Sequence, residues 1–281
     1  MPCIGRGKRL STVVFEAHKG RHVQHKIYVI TLPRAEHRQQ AVRTQLEALD
    51  VPFTFVEGVD GAALERPPAG YRGRLRRLFY GKDLTAGEIG CFLSHRAALE
   101  QFLAEPEPYG VICEDDVTFC GDTAAVVEDI VSQGLDFDLV RMTASDKIAR
   151  SRKKWHVMDL SGRYALYRML DLPCGGWAYL VSRQGAQRLL DASRSFWMPF
   201  DTLLAMAWHS GVDAYHLLPS PILHEGTETL IGTGRFECRR PSGLAGAVYR
   251  LSRPCYKGYE ALSRLAMATR YALTDRRRRS S

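Results

Sequence analysis

The sequence predicts an α/β fold: a mostly parallel sheet flanked by helices, followed by a basic helical tail. Two observations carry this. Between Lys26 and Leu218, short continuous apolar runs alternate with segments of helical period, the pattern of buried strands joined by helices. From Arg239 onward, eleven Lys and Arg stand against Glu260 and Asp275, a local charge of +9. The whole chain carries +8, so the body is close to neutral and the basicity belongs to the tail.

"KIYVITL" (Lys26 to Leu32) reads as the first buried strand. "EHRQQAVRTQLEAL" (Glu36 to Leu49) sets Ala41, Val42, Leu46 and Leu49 on one helical face, and "FTFVEGV" (Phe53 to Val59) is a second strand closed by Asp60-Gly61. Leu64 to Asp83, rich in Pro, Gly and Arg, reads as a mobile loop. "LTAGEIGCFLSHRAALEQFL" (Leu84 to Leu103) opens with Thr85 and Glu88 at capping-box spacing, which starts a helix. Pro106 and Pro108 end it before the run Val111-Ile112-Cys113. A helix near Ala124 to Gln133 follows, then strands at Phe137 to Met142 and Trp177 to Val181. Helices at Gln184 to Ala192 and Asp201 to His209 precede a last strand, Asp213 to Leu218.

Composition narrows the class. With 45% apolar and 25% charged residues, the chain is an ordinary globular protein, and no run approaches the ~18 apolar residues of a membrane span. The seven cysteines are scattered without C-x-x-C spacing, so reduced thiols are expected rather than a disulfide framework. Residues 1–25 lack a secretory apolar segment and read as a poorly ordered leader, ahead of a domain over 26–238 and the tail over 239–281.

The segment with most chemistry is "GVICEDDVTF" (Gly110 to Phe119), where an apolar run meets Glu114-Asp115-Asp116. Open α/β sheets bind ligands beyond the carboxyl ends of their strands. Adjacent carboxylates repel unless a cation neutralises them, and hard divalent ions take such oxygens. Alternation along an extended chain sends Glu114 and Asp116 to one side and Asp115 to the other. That arrangement suits a carboxylate pair gripping Mn²⁺ or Mg²⁺; a solvated acidic turn is the other reading.

The neighbouring motifs choose between these. "LTAGEIGCFLSHRAALE" followed by "VICEDDVTF" resembles glycosyltransferase family 25, the lipooligosaccharide galactosyltransferases and their collagen-modifying relatives. "YVITLPRAEHR", "FVEGVDG", "CGGWAYLVSRQGAQRLL" and "MPFD" resemble further elements of that family, in order, from about Lys26 to Ile231. Two departures stand out: Thr31 where the family usually has Asn, and Cys113 where Leu is usual.

The resemblance implies a GT-A-like, Rossmann-type sheet, a UDP-hexose donor, with UDP-galactose favoured, and inversion at the sugar carbon. It implies Mn²⁺ or Mg²⁺ on Glu114 and Asp116, with Glu114 shared with the donor, and His224 either a third ligand or a surface-loop histidine. Asp201 is the implied general base; an aspartate before a helix-forming run is also a common N-cap. Donor contacts are expected from Thr31, Arg34, Arg38, Asp60, Ser94, His95, Asp115, Gly175 and Gly176.

After Pro254, residues Cys255, Tyr259, Leu262, Ala266, Thr269 and Leu273 share one helical face, with Arg253, Lys257 and Arg264 opposite and Arg276 to Arg279 beyond. A basic amphipathic helix suits anionic lipid headgroups, or packs on the domain with a solvated basic face. A lipid-linked or lipopolysaccharide glycan acceptor, at the inner face of the cytoplasmic membrane, fits the first. A metal-dependent nucleotidyltransferase and a basic nucleic-acid-binding protein are the rival classes. The near-neutral body lacks a nucleic-acid reader motif, and no nucleic-acid partner is expected.

Overall fold

The first apolar run becomes β1 (His25–Thr31), second from one edge of an eight-stranded sheet in the computed structural model. The structure describes residues 25–144, 149–151, 153–170, 175–224 and 242–280. The expected leader apart from His25, the start of the "CGGWAYLV" motif at Cys174, and residues 225–231 at the end of the family resemblance lie outside the described residues.

Chain order continues with α1 (Glu36–Ala48), β2 (Phe53–Glu57), a 3-10 turn (Gly61–Ala63), α2 (Gly73–Tyr80) and α3 (Ala86–Ala104). β3 (Tyr109–Glu114), β4 (Val117–Phe119), α4 (Thr123–Ser132), β5 (Leu139–Arg141), β6 (Lys154–Asp159) and β7 (Ala165–Met169) follow. The remainder is β8 (Ala178–Ser182), α5 (Arg183–Ser193), α6 (Phe200–Ala205), α7 (Ala207–Ser210), β9 (Ala214–Leu218), β10 (Ile222–His224) and α8 (Gly243–Ser280).

The sheet order is β2-β1-β3-β8-β5-β9-β7-β6. β1 pairs in parallel with β2 and β3, and β5 with β9. β8 and β7 are reversed against their neighbours, so the other six strands share one direction. The expected mostly parallel sheet holds in strand direction, with two reversed strands inserted. Alternation along β1 feeds both faces. Tyr28 and Ile30 join a core with α3, α5 and α6, while Ile27 and Val29 join one with α1 and α4. A small second sheet, β10 antiparallel to β4, pairs His224 with Val117.

The capping box forms as read: Thr85 Oγ1 accepts from Glu88 N at 3.1 Å, and Glu88 Oε2 accepts from Thr85 N at 2.8 Å. Four expectations need correction. The segment Leu64 to Asp83 is not all loop, because α2 forms within it. There Arg76 is buried, its guanidinium 4.1 Å from the Tyr80 ring, and Gly81 closes the helix at φ 77°. β6 and β7 form a hairpin where no element was read; β6 is half-exposed along its length and lacks an apolar run. The single helix over Asp201 to His209 is two, broken at Met206 (φ -91°, ψ 58°).

The tail helix begins at Gly243 and runs through Pro254 instead of starting after it. It packs on the domain, and two residues of the expected basic face, Arg253 and Arg264, lie on the docked side while Lys257 is exposed. Arg253 Nη1 donates to Phe79 O at 3.2 Å, and the Arg264 guanidinium lies 5.9 Å from the Trp208 ring. Tyr256, Met267, Tyr271 and Asp275 are buried. All six residues of the expected apolar face are exposed. Near its end the helix is pinned by Arg168, which is fully buried, 2.5 Å from Asp213 and 3.1 Å from Asp275. The rings of Tyr215 and Tyr271 lie 3.5 and 4.0 Å from that guanidinium.

Candidate active site

β3 delivers the acids. Glu114 ends the strand, and Asp115 and Asp116 make the turn into β4. They line a cleft of about 380 Å³ at the carboxyl ends of β1, β2 and β3, where an α/β sheet opens to ligands. Every candidate residue named from sequence lines this cleft: with the three acids stand Thr31, Arg34, Arg38, Asp60, Ser94, His95, Gly175, Gly176, Asp201 and His224.

The three acids have separate surroundings. Asp115 turns toward β1, where Thr31 Oγ1 donates to its Oδ2 at 2.6 Å and Arg38 Nη1 to its Oδ1 at 3.2 Å. Both oxygens are thereby engaged, which makes Asp115 an anchor for Arg38. Glu114 Oε1 lies 3.4 Å from His95 Nε2. His95 is buried, stacked on Phe200 at 4.5 Å, with its Nδ1 3.3 Å from the Tyr179 hydroxyl, so the ring is held from both sides and fixes Glu114.

Asp116 is different. Its Oδ1 is buried without a hydrogen-bond partner, though His224 Nδ1 stands 3.5 Å away and Arg38 Nη1 lies 3.9 Å from Oδ2. Burial, then the charge of Glu114, pushes its carboxyl up to about 6. An orphaned buried carboxylate oxygen beside a second acid and an imidazole fits a hard divalent ion, which would satisfy the oxygen and cancel the repulsion. His224 is no loop residue. It closes β10, and its ring stacks on Trp177 at 4.4 Å.

Asp201 lies in the first turn of α6, but the N-cap is Pro199, so the capping alternative falls away. Its Oδ2 accepts from Gly175 N at 3.3 Å and its Oδ1 from Thr202 Oγ1 at 3.2 Å. Gly175 has φ 109°, and a Cβ there would meet the Trp177 ring at 2.4 Å, a place only glycine fills without strain. Arg141 donates to the Gly175 carbonyl from beneath.

Two more expected donor residues are engaged within the protein. Ser94 Oγ accepts from Val59 N at 2.8 Å and donates to Gly90 O at 2.8 Å, holding the turn after β2 against α3. Gly61 and Gly90 make that approach possible, since a Cβ on Gly61 would fall 1.8 Å from Ala86 O. Asp60 caps the 3-10 turn through Ala62 N at 3.1 Å and pairs with Arg34, which holds its carboxyl below the usual range, the Arg34 hydrogen bond being the larger cause.

Sequence reasoning missed three residues here. Cys91 joins His95 and Glu114 in a group whose ligand atoms all lie within 4.8 Å of one another. Trp177 and Phe200 supply the rings behind His224 and His95. The last two directly follow Gly176 and precede Asp201, a proximity that could have singled them out.

Comparison with known proteins places this arrangement. A probable inactive glycosyltransferase 25 family member 3 of Rattus norvegicus is 29% identical over 175 residues, 59% of this chain and 29% of that protein. Procollagen galactosyltransferase 1 of Danio rerio is 26% identical over 179 residues, covering 59% and 28%. Procollagen galactosyltransferase 1-A of Xenopus laevis is 25% identical over 223 residues, covering 73% and 35%. The chain therefore spans 28% to 35% of these relatives' length. Among solved structures, a Drosophila β-1,4-galactosyltransferase 7 mutant in complex with manganese, UDP-Gal and xylobiose covers 78% of this chain and 81% of its own. That likeness, with a TM-score of 0.37 and 9% identity, is too slight to bear on mechanism. The family match itself runs over residues 24–204, from β1 to the fifth residue of α6, and takes in the three acids, His95 and Asp201; on that span, well over half its length, the chain belongs to glycosyltransferase family 25, the lipopolysaccharide biosynthesis protein family.

Proposed function

We propose that the chain transfers a hexose, galactose from UDP-galactose, onto a hydroxyl of a glycan acceptor, with Mn²⁺ or Mg²⁺ held by Glu114, Asp116 and His224. The observation that carries this is Asp116 Oδ1, buried with no hydrogen-bond partner between a second acid and an imidazole. Relatives named procollagen galactosyltransferases support galactose as the sugar. The family's lipopolysaccharide description supports a lipid-linked acceptor.

A bound dication supplies charge neutralisation for the departing diphosphate. The remaining work falls to the chain. Arg38, steadied by Asp115, offers a fixed cation at the phosphate end, and Arg34 with Asp60 borders the nucleoside side of the cleft. His95 holds Glu114 toward the sugar, and Gly176 leaves that floor open: a Cβ there would stand 3.3 Å from His95 Nε2. Asp201 takes the proton of the acceptor hydroxyl. The acceptor oxygen then forms a bond to the anomeric carbon from the face opposite the diphosphate. The carbon–oxygen bond to the diphosphate breaks, and UDP leaves with the electron pair, so the configuration inverts.

The test is a scan of UDP-hexoses and nucleoside triphosphates with and without Mn²⁺, on the wild type, Asp116→Ala and Asp201→Asn. UDP release from UDP-galactose is expected, abolished by chelator and reduced at least about 100-fold in either variant. Metal-independent transfer, or a fully active Asp116→Ala, would overturn the proposal. Turnover of a nucleoside triphosphate in place of a UDP-hexose would reassign the same acids to nucleotidyl transfer.

A further inference from the structure

We propose that the outward face of α8 is a docking surface for an anionic lipid bilayer, with the helix lying in the plane of the headgroups. The helix is fixed to the domain by one side and leaves the other bare among the described residues. Leu244, Leu251, Leu262 and Leu265 are 83%, 75%, 71% and 62% exposed. With Val248 and Leu273, also exposed, they fall in one stripe at 3.6 residues per turn. A solvated stripe of this kind on a folded surface marks an interaction site.

Charge selects the occupant. Both acids of α8 turn inward: Asp275 is buried against Arg168, and Glu260 accepts from the Tyr80 hydroxyl at 3.2 Å. The exposed cation Arg270 lies along one flank of the stripe, exposed Arg250 lies toward the other, and exposed Arg276 falls within it near the helix end. Apolar side chains bordered on both sides by long basic ones, with no acid on that face among the described residues, match the boundary between acyl chains and anionic headgroups. A second copy of α8 laid on the same stripe would set like charges against each other. No described helix is long and apolar enough to cross a membrane, which suits an interfacial helix. The surface would hold the chain on the membrane that carries a lipid-linked acceptor and rests on the proposed reaction only for that purpose.

The test is co-sedimentation of the full chain with vesicles of equal parts phosphatidylglycerol and phosphatidylethanolamine, against phosphatidylcholine alone. Light scattering of the free protein accompanies it. Binding to the anionic vesicles, at least about tenfold tighter than to the neutral ones and weakened by salt, is expected. Leu251→Glu/Leu262→Glu/Leu265→Glu should lose at least about tenfold of it and keep transfer to a soluble acceptor, whereas Asp116→Ala should bind like the wild type. Those two readouts separate failure of this surface from failure of the transfer reaction. Equal binding to both vesicle types, no binding, unchanged binding by the triple variant, or a dimer that the triple variant dissolves would each overturn the proposal.

Discussion

Thr31 Oγ1 donates a 2.6 Å hydrogen bond to Asp115 Oδ2 from the last residue of the neighbouring strand. Both groups are buried, so the bond reaches Arg38 through the carboxylate they share. Thr31→Val should leave Asp115 one donor short, costing about 1–3 kcal/mol of stability and lowering kcat/KM, whereas Thr31→Ser should retain both. Urea denaturation beside UDP-hexose kinetics checks this; a Val variant that matches wild type in both would refute it.

Asp116 makes metal-free stability depend on pH. Its folded carboxyl titrates near 6 against an ordinary 3.8, so the fold holds the proton that the unfolded chain has lost. Stability is therefore greatest below about 4 and falls on the order of 2–3 kcal/mol as pH rises to 6. Asp116→Asn should melt higher than wild type above pH 6 in chelator and lose that advantage below 4. Mn²⁺ should stabilise only the wild type, increasingly as pH passes 6. Thermal melts from pH 4 to 8 report both effects, and an Asn variant with no gain at pH 8 would contradict them.

The paired glycines should respond differently to alanine. At Gly175 the positive φ and the Trp177 ring make Ala cost about 1–2 kcal/mol and disturb the stack on His224. At Gly176 the atoms nearest the added methyl belong to the side chains of His95 and Glu114. Melting should hold there while kcat/KM drops about tenfold through crowding of the cleft floor. Melting temperatures and kinetics of the two variants would separate these outcomes.

Arg168 should be the most costly single substitution at the α8 contact. Arg168→Leu strands Asp213 and Asp275 and removes the cation from two tyrosine rings, a loss of about 3–5 kcal/mol. Urea titration gives the magnitude, and faster trypsin cleavage within 243–280 would show that the helix has loosened.

Much of this architecture was legible because local and global signals agree. Thr85 and Glu88 start α3 as their spacing predicts, and Val111 to Cys113 form a fully buried strand ending at the acids. Where side chains serve two masters, the sequence misleads. Arg76 reads as a solvated loop charge but is covered by Tyr80, and Arg253 and Arg264 read as a free basic face but hold the tail down. β6 carries too little continuous apolar character to register as a strand. Within the cleft, residue types were readable and their division of labour was not. Whether Ser94 meets a ligand or a backbone amide depends on how closely Gly61 lies on α3, a distance no spacing encodes.

The pairing of β10 with β4 sets an order of assembly. It carries His224 to within 3.3 Å of the Asp116 carbonyl across 108 positions of chain. During synthesis the acid turn leaves the ribosome long before its imidazole does, since the two are 108 positions apart. A nascent chain therefore holds its carboxylates without the residue that completes their surroundings until the two-stranded sheet of β4 and β10 can close.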